Sequence, residues 1–217
     1  MKITVFKYGE SLYNETNLFA DRPGGKKIPL SFCFYLIETE GKHILVDTGC
    51  DGRERYGFYV YKAPVDLLAE YGLRPEEITD VIVTHSHFDH VAGIAAFPHA
   101  VIHVQSNEYI RGKEYIGTPE KLALFEESAQ VAENVRVEKY GGHTPDSCVV
   151  FAGQYLLCGD EAYYMRNLRD KVRIGNCASK ERAQQFVEKY SDGSVIPLLF
   201  HDADILSGSV GFQQVNG

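Results

Sequence analysis

Val81-Ile82-Val83-Thr84-His85-Ser86-His87-Phe88-Asp89-His90 is the stretch on which the reading of this chain turns. A short β-branched run reads as a buried strand, and it feeds directly into three histidines and one aspartate. Imidazole and carboxylate are ligands for zinc and other first-row metals. In extended backbone, residues two apart point the same way, so His85 and His87 can reach one metal together. Asp89 and His90 stand where the chain turns into the next helix and can face a second metal. Four ionisable groups packed this closely would repel one another and lose hydration unless a cation offset the cost.

Working outward, three further polar residues follow apolar strands in the same way. His143 lies in Gly141-Gly142-His143-Thr144-Pro145, after the alternating run Asn134 to Tyr140. Asp160 closes Leu156-Leu157-Cys158-Gly159-Asp160, and His201 closes Ile196 to Phe200. Strand ends on one edge of a sheet can converge on one cleft. The set His85, His87, Asp89, His90, His143, Asp160 and His201 therefore suits two metals, with Asp160 as the natural bridge. His43, His99 and His103 are read as structural or surface histidines, and Cys158 as a buried strand residue. Asp47, before Gly49, either orients a ligand histidine or is a turn aspartate.

The remaining pattern is mixed α and β. Strands are expected at Met1 to Tyr8, Phe32 to Glu38, His43 to Asp47, Val101 to Gln105, Cys148 to Phe151, Tyr155 to Cys158 and Val195 to Phe200. Helical spacing is read at Val65 to Tyr71, Gly93 to Phe97, Asn107 to Tyr115, Pro119 to Ala132 and Lys180 to Tyr190. Residues 9 to 29 are polar and carry the turn signal Arg22-Pro23-Gly24-Gly25, so they are expected as a long loop. Two strand-rich halves, each covered by helices on one face, would make a four-layer αββα sandwich.

Composition bounds the function. The 217 residues suit a single domain over 1–217, and 44% apolar residues supply a core. A net charge of −8 without a basic run excludes a nucleic-acid partner on electrostatic grounds. No apolar window is long enough to insert in a membrane, and Met1 to Glu10 does not read as a signal peptide. Five irregularly spaced cysteines disfavour a disulfide framework, so the expected compartment is the cytoplasm. A homo-oligomer is left open.

The motifs resemble the metallo-β-lactamase-fold hydrolases, whose H-x-H-x-D-H signature matches positions 85 to 90. Val46-Asp47-Thr48-Gly49, Gly142-His143-Thr144-Pro145, Cys158-Gly159-Asp160 and Phe200-His201-Asp202 resemble the family's other motifs, in order. Within that fold the chain is most similar to N-acyl homoserine lactone lactonases. Ile28-Pro29-Leu30 leading into Phe34 to Thr39 resembles their early strand, and Asp160-Glu161-Ala162-Tyr163 resembles their D-x-x-Y. Residues 50 to 65 differ in character from that group.

The resemblance implies that His85, His87 and His143 bind one metal, that Asp89, His90 and His201 bind the other, and that Asp160 bridges them. The ions would be zinc first, with iron, manganese or cobalt as alternatives. It implies a small-molecule lactone or ester substrate, opened by a hydroxide shared between the metals. Tyr163 would donate to the developing oxyanion, and Asp89 would pass a proton to the leaving alkoxide if its other oxygen is free. Tyr56, Phe58, Tyr59, Tyr61, Phe19, Leu30 and Phe32 are candidates for an acyl-chain pocket, with core packing expected for at least half. The first alternative is a thioesterase of the hydroxyacylglutathione hydrolase type, disfavoured because little chain follows His201 to hold glutathione. A β-lactam hydrolase, a ribonuclease, a flavo-diiron redox protein and a metal-binding protein without turnover are weaker alternatives.

Overall fold

The computed structural model describes residues 1–51 and 53–215. One sheet comprises β1 (Lys2–Asn14), β2 (Lys27–Thr39), β3 (Lys42–Val46), β4 (Val60–Tyr61), β5 (Asp80–Ile82), β6 (Val101–Gln105), β7 (Lys121–Phe125) and β13 (Gly211–Gln214). Its order is β13-β1-β2-β3-β5-β6-β7, with β4 pairing β1. The second sheet, β12-β11-β10-β9-β8, holds β8 (Ser128–Ala132), β9 (Val135–Lys139), β10 (Cys148–Ala152), β11 (Tyr155–Leu157) and β12 (Ile196–Leu198). The helices are α1 (Glu15–Leu18), α2 (Arg53–Tyr56), α3 (Pro64–Tyr71), α4 (Phe88–Val91), α5 (Ser106–Ile116), α6 (Met165–Arg169) and α7 (Lys180–Lys189).

Period-two alternation builds the layers. Cys33, Tyr35 and Ile37 on β2, with Ile44 and Val46 on β3, face the second sheet and meet Val135, Val137, Cys148, Val150 and Leu157. The alternate residues Phe32, Phe34, Leu36 and Leu45 face the other way, against Leu67 and Leu68 of α3 and Val91 of α4. On the second sheet, Val149, Leu156 and Cys158 turn outward to Phe186 and Val187 of α7. Helices, two sheets and helices thus enclose three apolar layers, giving the four-layer αββα sandwich.

Two expectations are corrected. Residues 9 to 29 are not mainly loop: β1 and β2 pair as far as Asn14↔Lys27, past a register shift between Lys7 and Gly9. Polar residues hide this ladder in the sequence, yet Glu10 and Ser11 are buried, and Glu10 is ion-paired with the buried Lys7. Pro119 to Ala132 is not a helix but β7 and β8. The Ala, Leu and Glu content favours helix locally. The ladder to β6, from Val101↔Lys121 to Gln105↔Phe125, and the burial of Phe125 and Val131 outweigh it. Among the described residues no helix is long and apolar enough to cross a membrane.

Strand direction positions the site. β3, β5, β6 and β7 run parallel. In the second sheet β9 and β11 are both antiparallel to β10, and β12 is parallel to β11, so β9, β11 and β12 end on one edge.

Candidate metal centre

His85 stands just beyond β5, His143 beyond β9, Asp160 beyond β11 and His201 beyond β12. Asp89 and His90 lie in the first turns of α4, whose start is held by His90 N–H donating to His87 O at 2.9 Å. The seven expected residues come together as two groups: His85, His87, His143 and Asp160, and then Asp89, His90 and His201. In the first, His85 Nε2 and His143 Nε2 lie 2.9 and 3.0 Å from His87 Nδ1, and 3.6 and 3.2 Å from Asp160 Oδ2. In the second, His90 Nε2 and His201 Nε2 lie 3.2 and 3.0 Å from Asp160 Oδ1, and 3.6 and 3.8 Å from Asp89 Oδ2. Asp160 presents one oxygen to each group.

The donor set fits a pair of metal ions. Ligands about 2.0–2.1 Å from a zinc-like ion at tetrahedral angles lie about 3.3 Å apart, which is the spacing found here. Asp160 Oδ1 is buried with no hydrogen-bond partner, although two imidazoles flank it. A carboxylate oxygen left in that state is costly without a cation.

Hydrogen bonds set the tautomers. His90 Nδ1 donates to Asp47 Oδ2 at 2.7 Å, His201 Nδ1 to the Ser31 carbonyl at 2.7 Å and His143 Nδ1 to the Asn176 carbonyl at 3.1 Å. Thr84 Oγ1 donates to Asp47 Oδ2 at 2.7 Å and can accept from His85 Nδ1 at 3.1 Å. Each Nε2 lone pair is thereby left facing the cluster. Of the two sequence readings of Asp47, the geometry matches the orienting residue. It is fully buried, takes a positive φ of 61°, and also accepts from Thr84 N at 2.8 Å.

Charge divides the cluster. Burial and neighbouring imidazoles hold His85 well below the usual histidine range, and burial takes His143 down to about 4. Burial also opposes protonation of His90, but Asp160, Asp47 and Asp89 outweigh it and raise its pKa. Burial would raise Asp160, whereas the four surrounding histidines hold it well below the carboxylate range.

Cys158 packs against α7 rather than in the site, because the chain turns at Gly159 (φ 53°) and sends only Asp160 to the cluster. Of the other histidines, His103 Nε2 pairs with Asp80 at 2.8 Å and His43 Nδ1 contacts Glu77 O, both away from the site. None of the five cysteines, all among the described residues, forms a disulfide.

A cavity of about 240 Å³ opens over the cluster, lined by Leu30, Phe32, Arg55, Tyr56, Phe88 and Tyr163 with several of the metal-group residues. Of the seven aromatic and apolar candidates for the substrate wall, Leu30, Phe32 and Tyr56 line it. Phe19 and Phe58 pack in the core, Tyr61 stacks on Phe58, and Tyr59 is half exposed. Tyr163 is buried with its ring 6.0 Å from that of His143 and 5.3 Å from that of His201. The condition on Asp89 as a proton carrier is not met: its Oδ1 accepts from Tyr56 Oη at 2.8 Å.

Several supporting residues escape a reading of the sequence. Buried Glu108 accepts from Ser86 N at 2.8 Å and from Thr144 Oγ1, joining the loop of His85 and His87 to that of His143. Glu161 accepts from Gly142 N at 3.0 Å and His143 N at 3.2 Å. A Cβ at Gly142 would lie 2.1 Å from Glu161 Oε2, so a larger residue there would displace that carboxylate. Only the adjacency of Glu161 to Asp160 could have signalled one of these roles.

Known proteins resemble this chain along nearly its whole length. The N-acyl homoserine lactonase AiiA of Bacillus thuringiensis subsp. kurstaki is 26% identical over 94% of this chain and 93% of its own. The N-acyl homoserine lactonase of Bacillus cereus is 27% identical over the same shares. A crystal structure of a quorum-quenching N-acyl homoserine lactone lactonase superposes with a TM-score of 0.83 at 25% identity, covering 96% of this chain and 95% of the other. An N-acyl homoserine lactone hydrolase with N-hexanoyl-L-homoserine bound at its catalytic metal center gives 0.81 at 25% identity, with 94% of each chain covered. Residues 34–190 match the family described as the metallo-beta-lactamase superfamily, and it is to this superfamily that the chain belongs.

Proposed function

We propose that this chain is a dinuclear metal-dependent hydrolase that opens a lactone of the N-acyl homoserine type, or a related ester. The observation that carries this reading is Asp160, with one oxygen toward each of two histidine-bearing groups at the floor of a partly aromatic cavity. His85, His87 and His143 would hold one ion, Asp89, His90 and His201 the other, and Asp160 both. Nitrogen and oxygen donors at tetrahedral spacing favour zinc. Bound there, two ions would supply a nucleophile from water at neutral pH and polarise a carbonyl oxygen.

The chain's own groups do the rest. Tyr163 keeps its proton at neutral pH, because burial and then Asp160 raise its pKa well above the phenol range. It is therefore a hydrogen-bond donor for the oxyanion of a tetrahedral intermediate. Asp89 serves as a ligand, since its second oxygen is taken by Tyr56. Leu30, Phe32 and Phe88 exclude water beside the scissile bond and offer apolar surface to an acyl chain. A cavity of about 240 Å³ lies below the usual range for drug-sized ligands, about 300–1,000 Å³, and suits a compact lactone better than a glutathione thioester. One domain spanning the chain and acting in the cytoplasm completes the reading.

Screening one metal-loaded preparation against lactone, thioester, β-lactam and phosphodiester substrates tests it. Hydrolysis of homoserine lactones with negligible thioester turnover is expected, and the reverse preference overturns the proposal.

A further inference from the structure

Asp89 is held at both ends by tyrosines from outside the metal-binding motif. Tyr8 Oη, in β1, donates to the Asp89 carbonyl at 2.8 Å. Tyr56 Oη, at the end of α2, donates to Asp89 Oδ1 at 2.8 Å. The Tyr56 ring is wedged among Phe32, Phe58 and Phe88, at centroid distances of 5.1, 5.6 and 6.4 Å. Those rings fix where the hydroxyl points. Asp89 needs such help: its Oδ2 lies 3.6 and 3.8 Å from the two imidazoles of its group, whereas Asp160 Oδ1 lies 3.2 and 3.0 Å from the same two. A carboxylate anchored through one oxygen presents the other in a single direction. One left free rotates about its last torsion and divides its time between the metal and water.

We propose that Tyr56 is a positioning residue for the second metal: its hydroxyl locks the Asp89 carboxylate with Oδ2 turned to the His90–His201 pair, and so ties the aromatic segment after β3 to occupancy of that site. The proposal rests on the two-metal reading of the cluster. Partners of this kind cost about 10–100-fold in metal affinity when removed. Among the described residues the Tyr56 hydroxyl bonds to Asp89 and its ring meets Phe32, Phe58 and Phe88 rather than the first group's imidazoles, so the loss is expected on one ion of the two.

The test is a stepwise chelator competition on the full-length holoprotein, counting zinc retained per chain, for the wild type, Tyr56→Phe, Asp89→Asn and the double variant. Tyr56→Phe keeps the ring and its packing. It is expected to weaken the second equivalent about 10–100-fold and leave the first within about threefold. In the Asp89→Asn background, Tyr56→Phe should add nothing, because the two side chains act as a unit. Cobalt-loaded protein gives a separate readout, with the visible absorption of only one of the two ions altered. Retention of both equivalents at wild-type affinity in Tyr56→Phe overturns the proposal, as does an equal weakening of both or an additive double variant. A wild type that takes up no second equivalent overturns the two-metal reading itself, an outcome separate from the others because it precedes any comparison of variants.

Discussion

The imidazole Nδ1 atoms of His85 and His143 are hydrogen-bonded by neutral groups, a threonine hydroxyl and a main-chain carbonyl, and burial favours the uncharged form of both rings. Asp89, His90 and His201 are supported by a buried carboxylate, a tyrosine hydroxyl and the Ser31 carbonyl, and His90 is drawn toward its charged form. The first group offers three imidazoles and the second two with a carboxylate. Neutral imidazoles need only a cation to fill the space between them. The second group must also have its carboxylate aimed and His90 relieved of its proton. The two halves should therefore differ in how strongly outlying residues govern metal uptake, with the second more dependent on its surroundings.

The largest effect should erase that difference. Asp160 presents an oxygen to each half, so on the proposed two-metal reading Asp160→Ala would remove a ligand from each. Partners beyond the ligands already cost about 10–100-fold in affinity, so a direct ligand should cost more. Both equivalents should be lost on gel filtration, with lactone turnover down by at least about 1,000-fold. Metal analysis beside the rate measurement checks this, and retention of one tight equivalent would show that the halves are independent sites.

Tyr163 lies between the halves, its ring beside His143 of one and His201 of the other. Tyr163→Phe should lower kcat about ten- to a thousand-fold, the range for a lost oxyanion donor, with two metals retained. If metal content falls instead, the tyrosine supports the cluster rather than the reaction.

The sequence was most legible where chemistry is local. His85 to His90 crowd so many ionisable groups into six positions that only a cation explains them, and the strand before them supplies the direction. His143, Asp160 and His201 were legible through one repeated arrangement, a polar residue just past an apolar strand. Tyr56 was visible only as one aromatic among several, because its partner Asp89 is 33 positions away and nothing in residues 50 to 65 has a period. The layers were legible from alternation in β2, β3 and β10. β7 and β8 were not, because strand pairing with β6 and β9 prevails there over helical propensity. The extension of β1 was hidden because the buried Lys7 and Glu10 satisfy each other, a fact of tertiary structure that composition cannot carry.

Separating the two halves needs a pair of opposite lesions. Thr84 Oγ1 lies between Asp47 Oδ2 and His85 Nδ1, so Thr84→Val removes support from His85 while Asp47 keeps His90. Asp47→Asn removes the charge facing His90. Asp47→Asn should weaken the second equivalent about 10–100-fold, and Thr84→Val the first by about tenfold at most. Chelator titration of the two variants should give opposite orders of loss. The same order in both would mean that Asp47 and Thr84 act on the cluster as one.

The smallest effect concerns the loop that carries His143. Asp146 is bound by Lys139 Nζ at 2.8 Å and by Arg111 Nη2 at 2.5 Å, and Arg111 also reaches Glu108 at 2.8 Å. Burial would raise the Asp146 pKa, but these cations lower it from the ordinary 3.8 to about 2. A carboxylate depressed on folding stabilises the protein above its unfolded pKa, and that contribution disappears as pH falls through the folded value. The Asp146 contribution is thus complete above about pH 4 and lost toward about pH 2. Because Arg111 is partly in water, screening cuts the contribution to about 1 kcal/mol. Asp146→Asn should lower Tm by a few degrees at pH 7, by progressively less below pH 4, and leave both metal affinities nearly unchanged. Thermal melts of metal-loaded wild type and variant across that range check it. A gap that widens on acidification would mean that the aspartate is unpaired and that Glu108 and Glu161 hold the His143 loop without it.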